Sequence, residues 1–220
     1  MATSGPRRGT RGGDARSAAT RAALLTAGHA ALREVGYAAA SAREIAGRAQ
    51  VPQSQVFYHY GSVAGLLLAV LDEVSARRMT ACESLIAGEP DLEKLVEGVE
   101  QVVRTDLAAG DVAVLVEMIC GTRSSPELAA AVAERLEPWH AFARDGVRRA
   151  VRTHPLGALV PVDDAAHALV AGILGIELLA LLEGSHERAD ALIDRAVGVA
   201  TLVGMLGAPA AVASAGSEES

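Results

Sequence analysis

Apolar residues recur at helical spacing along almost the whole chain, and no segment alternates with the period of two that marks a strand. The first periodic segment, about residues 15–35, places Leu24, Leu25, Ala31, Leu32 and Val35 on one face and stops at Gly36. A short helix, a turn and a second short helix follow between Ser41 and Tyr60. Ser62 can cap the next helix, whose LLLAVL run continues to about Ile86, where Gly88-Glu89-Pro90 breaks it. Further helices are predicted from Asp91 to about Ala108 and from Gly110 to about Gly121. Ser125-Pro126-Glu127 starts a long helix to about Thr153, with Pro138 as a kink or break and His154-Pro155 as its end. Two more helices span about Asp163 to Glu183 and Glu187 to Leu206, the second stopped by Gly207 and Pro209. No internal repeat is visible. The predicted class is all-α.

The stretch SAREIAGRAQVPQSQVFYHY, residues 41–60, stands apart. Ser41 and Glu44 form an S-x-x-E capping box, and Ile45, Ala46 and Ala49 give the first short helix an apolar stripe. Gln50, Val51 and Pro52 make the turn. The second helix, about Gln53 to Tyr60, turns Val56 and Tyr60 inward. Ser54 and Tyr58 then lie on the opposite side, flanked by Gln55 and Phe57. A solvated helix face usually carries Lys and Glu. A face of Gln, Ser, Phe and Tyr suits base edges and phosphates better.

Residues 18–70 resemble the DNA-binding region of the tetracycline-repressor (TetR) family. The resemblance rests on Gly36-Tyr37, Ser41, Glu44-Ile45-Ala46, Val51, Phe57-Tyr58-His59-Tyr60, Gly61-Ser62 and Leu66-Leu67, in the family's order and spacing. The chain departs from that pattern at Gln50 (usually Gly), Pro52 (usually Ser), Phe57 (usually Tyr), Val63 (usually Lys) and Ala64 (usually acidic). The resemblance implies a three-helix DNA-binding unit with a helix-turn-helix, followed by a helical domain for effector binding and dimerisation. The corresponding division is a basic tail at residues 1–15, expected to be disordered, a DNA-binding domain at 16–65, a regulatory domain at 66–207 and a second disordered tail at 208–220. It also implies a homodimeric regulator, most often a repressor released by a small molecule, acting in the bacterial cytoplasm on a double-stranded DNA operator. Two recognition helices related by a twofold axis would read a palindrome. Candidate DNA contacts are Ser41, Arg43, Gln53, Ser54, Gln55, Phe57, Tyr58 and His59. Gln53 and Gln55 can bond adenine N6 and N7, while Ser41 and Tyr58 suit phosphate. His59 is a phosphate ligand or a packing residue, and Arg43 a DNA contact or a solvated helix arginine.

Charge is distributed to match. The net charge is −7, yet residues 1–62 hold eight arginines against three acids, and the remainder twelve basic against twenty-four acidic residues. A basic N-terminal unit on an acidic body is the asymmetry of a nucleic-acid binder with a separate regulatory part. Arg7, Arg8 and Arg11 form a loose DNA arm or a solvated tail. Cys82 and Cys120 show no metal-ligand spacing and are expected as reduced buried thiols. No signal peptide is expected in the polar stretch Met1–Gly13. The apolar run Ala165 to Leu182 nears membrane length but contains His167 and Glu177, so an interface helix is expected and no membrane. The six histidines form no close ligand pair, and GxSxG, CxxC and glycine-rich phosphate loops are missing. Neither enzyme chemistry nor a cofactor or metal is expected. The competing reading is a helical interaction or sensor protein with weakened DNA binding, for which the missing Lys at Val63 speaks.

In the body, two long apolar faces ask for a partner: Leu169, Gly172, Ile173, Ile176 and Ala180, then Leu192, Ala196, Val199 and Val203. Paired across a twofold axis they would make a four-helix bundle, with Gly172 and Gly175 allowing close approach. A pocket for the effector is expected among Leu115, Met118, Leu136, Trp139, Phe142 and Leu178, with Glu117, His140, His167 and Glu177 as its polar groups. Such a lining favours a small, largely apolar molecule with one or two polar handles.

Overall fold

A computed structural model describes residues 10–85, 110–152, 157–185 and 187–207, together with 97–98, 100–101 and 104–105. These residues are helical with short connections, and none of them is in a strand. The long helices are α1 (Thr10–Val35), α4 (Val63–Leu85), α6 (Pro126–Val151), α7 (Val162–Glu183) and α8 (Glu187–Gly207). The short ones are α2 (Ala42–Arg48), α3 (Ser54–Tyr60) and α5 (Asp111–Gly121). Helix α1 starts at Thr10, so residues 10–15, expected in the tail, are helical. The expected breaks at Gly88–Pro90 and His154–Pro155, the tail at 208–220 and most of the predicted 91–108 helix lie outside the described residues.

Local chemistry accounts for the boundaries. The Oγ of Ser41 accepts the Glu44 backbone N–H at 3.2 Å, closing one half of the expected capping box. The Glu44 carboxylate turns instead to Arg48 Nε at 2.7 Å, an i, i+4 pair. Ser62 Oγ caps α4 through Gly65 N–H at 2.9 Å, and Ser125 Oγ caps α6 through Leu128 N–H at 3.1 Å. Pro126 occupies the first turn of α6, where its missing N–H costs nothing, and the helix runs on through Pro138. Gly36 has φ +78°, and a Cβ there would meet Glu117 Oε2 at 2.7 Å, so both backbone and space require glycine.

One hydrophobic core runs from the N-terminal unit into the body. Leu24 and Leu32 of α1, Ile45 of α2, Val56 of α3 and Leu66, Leu67 and Val70 of α4 are fully buried. The same cluster continues into Val114, Leu115 and Met118 of α5 and Leu128 and Val132 of α6. A smaller cluster of Ala143, Ala166 and Val170 seals α6 on α7, with Trp139, Leu169 and Leu174 against it.

Helix α7 has 22 residues and an 18-residue stretch of mean hydropathy 2.1, enough by length and composition to cross a membrane. It carries Glu177, fully buried, whose Oε1 accepts Arg78 Nη2 of α4 at 2.9 Å. The Arg78 guanidinium also lies over the Trp139 ring, 5.1 Å from its centre. Removing one partner of a buried pair leaves the other charge uncompensated. Glu177→Ala is expected to cost about 3–5 kcal/mol, and the double change Glu177→Leu with Arg78→Met to recover most of it. Urea midpoints of the three proteins test this. A cost below about 1 kcal/mol for Glu177→Ala would show that the pair does not hold α4 to α7.

Candidate functional site

The turn between α2 and α3 is tight: the Val51 N–H donates to Ala46 carbonyl at 3.1 Å, and Gln50 takes φ +55° in the left-handed region. A glutamine there stores strain that glycine would not. Val56 anchors α3 in the core, and Tyr60 donates its hydroxyl to the Arg21 carbonyl at 3.0 Å while Arg21 lies over its ring. With that side fixed, the opposite face of α3 must turn outward. Tyr58 is 78% and Phe57 49% exposed, Gln53 and Ser54 are exposed, and Gln55 is half-buried beside them. Gln53 is the residue before the helix and makes no side-chain cap, which leaves its amide group for a ligand. His59 is half-buried and packs edge-on between Tyr58 and Tyr60, with ring centres 4.9 and 6.4 Å away. Ser41 and Arg43 are exposed on α2, although the Ser41 hydroxyl is already engaged as its cap. The structure thus brings Gln53, Ser54, Phe57 and Tyr58 onto one outward surface, with Gln55 at its edge.

Behind this surface, α5 holds the N-terminal unit to the body. Glu117 Oε2 accepts the Tyr37 backbone N–H at 2.8 Å, and the Tyr37 ring lies on Gly121, where a Cβ would come within 2.6 Å of it. Asp111 is buried, with His29 Nε2 of α1 at 2.8 Å and Arg77 Nη2 of α4 at 2.6 Å. Sequence reasoning missed this triad, since its members lie far apart in the chain. The one local signal was an acid directly after Gly110, at a helix start.

The expected effector residues do not gather in one place. A narrow cleft lies between α4, α5 and α6, with about 20 Å³ of free space, enough for a water molecule. Its wall includes Leu115, Leu136 and Trp139, as expected residues, and Leu71, Val74, Ser75, Arg78, Val132 and Arg135, which were not expected. Trp139 Nε1 donates to Ser75 Oγ at 2.8 Å across it. Met118 is fully buried core, and Glu117 serves Tyr37. Glu177 lies behind Arg78 as its partner, and Phe142 is half-buried outside the wall. His140 and His167 stack at 5.1 Å across α6 and α7, and Leu178 faces outward, 39% exposed.

The apolar face of α7 is also rotated from the expected one. Ala180 is buried within the protomer, Leu169, Ile173 and Ile176 are half-buried, and Leu169 and Ala180 point inward. Exposed are Gly172, as expected, and Leu178, Leu179 and Leu182, which were not, with open space over Gly172 and Gly175. A helix that is apolar on every side gives no period from which to choose its inner face. On α8, Leu192, Ala196 and Val199 are exposed, and the side chain of Val203 lies outside the described residues. Of the two thiols, Cys82 is buried and Cys120 exposed, against the expectation that both are buried.

The arrangement is a helix-turn-helix mounted on an all-α body. Residues 24–70 match the family of bacterial regulatory proteins, tetR family. Solved structures share the fold over most of their length. The regulatory protein TetR from Rhodobacter sphaeroides is 20% identical with a TM-score of 0.68, covering 82% of this chain and 98% of that one. The fatty acid degradation regulator FadR from Bacillus halodurans is 14% identical with a TM-score of 0.71, covering 82% and 94%. A TetR transcription regulator from Haloarcula marismortui is 18% identical with a TM-score of 0.69, covering 86% and 98%. No curated protein matches the sequence. Residues 24–70 therefore match the tetR family's DNA-binding region, and the solved structures share the all-α fold of the chain.

The Asp111 triad makes the link between DNA-binding unit and body dependent on acid. Burial pushes the Asp111 carboxyl upward, but the hydrogen bonds from His29 and Arg77 outweigh it and hold the group below its ordinary value of 3.8. A depressed carboxyl contributes stability above its unfolded value and loses it as pH falls through the folded one. Asp111→Asn should therefore cost about 1–3 kcal/mol near neutral pH, and the gap to wild type should close below about pH 4. Urea midpoints across that range check it, and a gap unchanged into strong acid would assign the effect to packing.

Proposed function

We propose that the chain acts as a homodimeric repressor in the bacterial cytoplasm, binding a palindromic operator and leaving it when a small, mostly apolar molecule enters the body. The observation that carries the DNA-reading part is the outward face of α3, where Gln53, Ser54, Phe57 and Tyr58 stand exposed while Val56 and Tyr60 fix the helix from behind. A Gln amide can pair with an adenine edge, and Ser and Tyr hydroxyls suit phosphates. Arg43 and Gln55 flank this face. Helix α3 is only seven residues long, so one copy spans too few base pairs for useful specificity, and a twofold pair supplies the second half-site.

The dimer is supported by the exposed leucines of α7 and by Leu192 and Val199 of α8, the last 62% exposed. Several large apolar side chains exposed on one helix suit an interface better than water. Open glycine positions at 172, 175 and 198 would let two helices approach closely.

Release is supported by what α5 touches. Leu115 walls the cleft, while Asp111 and Glu117 of the same helix grip His29 and Tyr37 of the N-terminal unit. A molecule that displaces Leu115 acts on both grips at once. Tilting the two DNA-binding units changes the distance between recognition helices, which a palindrome of fixed spacing resists. The molecule must favour the DNA-free setting, and about 1.4 kcal/mol of preference gives a tenfold loss of operator affinity.

The experiment is gel retardation with DNA upstream of the protein's own gene, paired with sedimentation. Wild type should sediment as a dimer at micromolar concentration and retard a fragment holding a pseudo-palindrome. Leu179→Asp should give monomers that no longer retard it. A wild-type monomer would refute the dimer. No retarded band at low salt would favour the helical interaction protein instead.

A further inference from the structure

We propose that the first turns of α1 are a second DNA contact, in which Arg16 and Arg21 seat on the phosphate strand bordering the groove that α3 enters. This rests on the DNA-reading role of α3 given above and extends it to a surface outside the helix-turn-helix. Helix α1 outruns the core it packs on. Its first buried residue is Leu24, whereas residues 13–16, 18 and 19 are exposed and Ser17 and Thr20 half-buried. At about 1.5 Å per residue, the stretch from Thr10 to Arg21 is roughly 16 Å long. That is enough to reach across from one groove to the strand beside it, since the major groove is about 12 Å wide.

The overhang begins beside α3. Tyr60, the last residue of α3, donates its hydroxyl to the Arg21 carbonyl at 3.0 Å, and the Arg21 guanidinium lies over the Tyr60 ring, 5.5 Å from its centre. The buried face of α1 runs through Leu24, Ala27 and Ala31. Carried back toward the N-terminus at the helical period, that face passes through Thr20, Ser17 and Gly13, with Arg16 on one side and Arg21 on the other. Open space lies over Gly13, where the core has ended. The charge there is left free. From Thr10 to Arg33, α1 carries Arg11, Arg16, Arg21 and Arg33 against one acid, Asp14. Among the described residues Arg16 and Arg21 make no ion pair, whereas Arg48 of α2 is held by both Glu34 and Glu44. Unpaired guanidiniums next to a reading helix suit a polyanion that lies along it, and each phosphate they neutralise releases counterions.

The full chain and its variants Arg16→Gln, Arg16→Lys and Arg148→Gln are titrated onto upstream operator DNA and onto a random duplex of equal length over a series of salt concentrations. Arg148 is exposed on α6, so its variant removes the same charge from the body. Arg16→Gln should weaken both duplexes alike, several-fold at low salt, and lower the slope of log affinity against log salt by roughly 0.9 per protomer. Arg16→Lys should keep the wild-type slope, because a phosphate needs the charge, and Arg148→Gln should change neither slope nor affinity. The Arg16 side chain makes no hydrogen bond or ion pair among the described residues, so the urea midpoints of the four proteins should agree. A wild-type slope in Arg16→Gln, a loss confined to the operator, or an equal loss in Arg148→Gln overturns the proposal and leaves the role of α3 standing. An unchanged slope with altered sedimentation would assign Arg16 to the acidic body of a second copy, which overturns it as well. Wild type that retards neither duplex at low salt overturns the α3 reading itself, and this contact with it.

Discussion

Two neighbouring arginines of α4 hold the molecule in register. Arg77 reaches Asp111 of α5 and Arg78 reaches Glu177 of α7, the two buried acids among the described residues. Successive helix positions point about 100° apart, so adjacent residues can grip elements on different sides of α4. Each acid is costly to bury, and its arginine supplies an opposite charge in place. Helix α4 therefore cannot slide or turn along the body without breaking both pairs. The first half of the same helix, through Leu66, Leu67 and Val70, closes the core of the DNA-binding unit. The position of the reading surface is in this way tied to the packing of the body.

One continuous core joins the cleft's wall to α3. Leu115 and Met118 sit in one cluster with Leu24, Ile45 and Val56. Close-packed interiors respond to displaced volume by shifting whole elements rather than by yielding locally. Helix α5 has the cleft on one side and the Tyr37 and His29 contacts on the other. Its polar grips and its apolar contacts are side by side on one short helix.

Much of this was legible in the sequence. The caps Ser41, Ser62 and Ser125, the stop at Gly36 and the start at Pro126 fall where local chemistry put them. The outward chemistry of α3 followed from its period, because Val56 and Tyr60 left one choice of inner face. The body was harder to read. Helix α7 is apolar on all sides, so the face carrying Leu179 and Leu182 could not be told from that carrying Leu169 and Ala180. Glu117 resembled a pocket group because its partner is a backbone N–H eighty residues away, which no side-chain pattern records. Arg78 and Arg135 escaped notice for the opposite reason: an arginine on a helix is ordinarily solvated, and only the packing of α4, α6 and α7 turns these two toward a cleft.

The outward face of α3, in the setting fixed by α4 and α5, is proposed to meet DNA. The measurement that tests it most directly is the affinity for upstream operator DNA as a function of salt, set against a random duplex of equal length. The logarithm of affinity should fall steeply and linearly with the logarithm of salt, since each neutralised phosphate adds roughly 0.9 to the slope. Affinity for operator should also exceed that for random duplex by about a thousandfold or more. A flat salt dependence, or equal affinity for both duplexes, would contradict it.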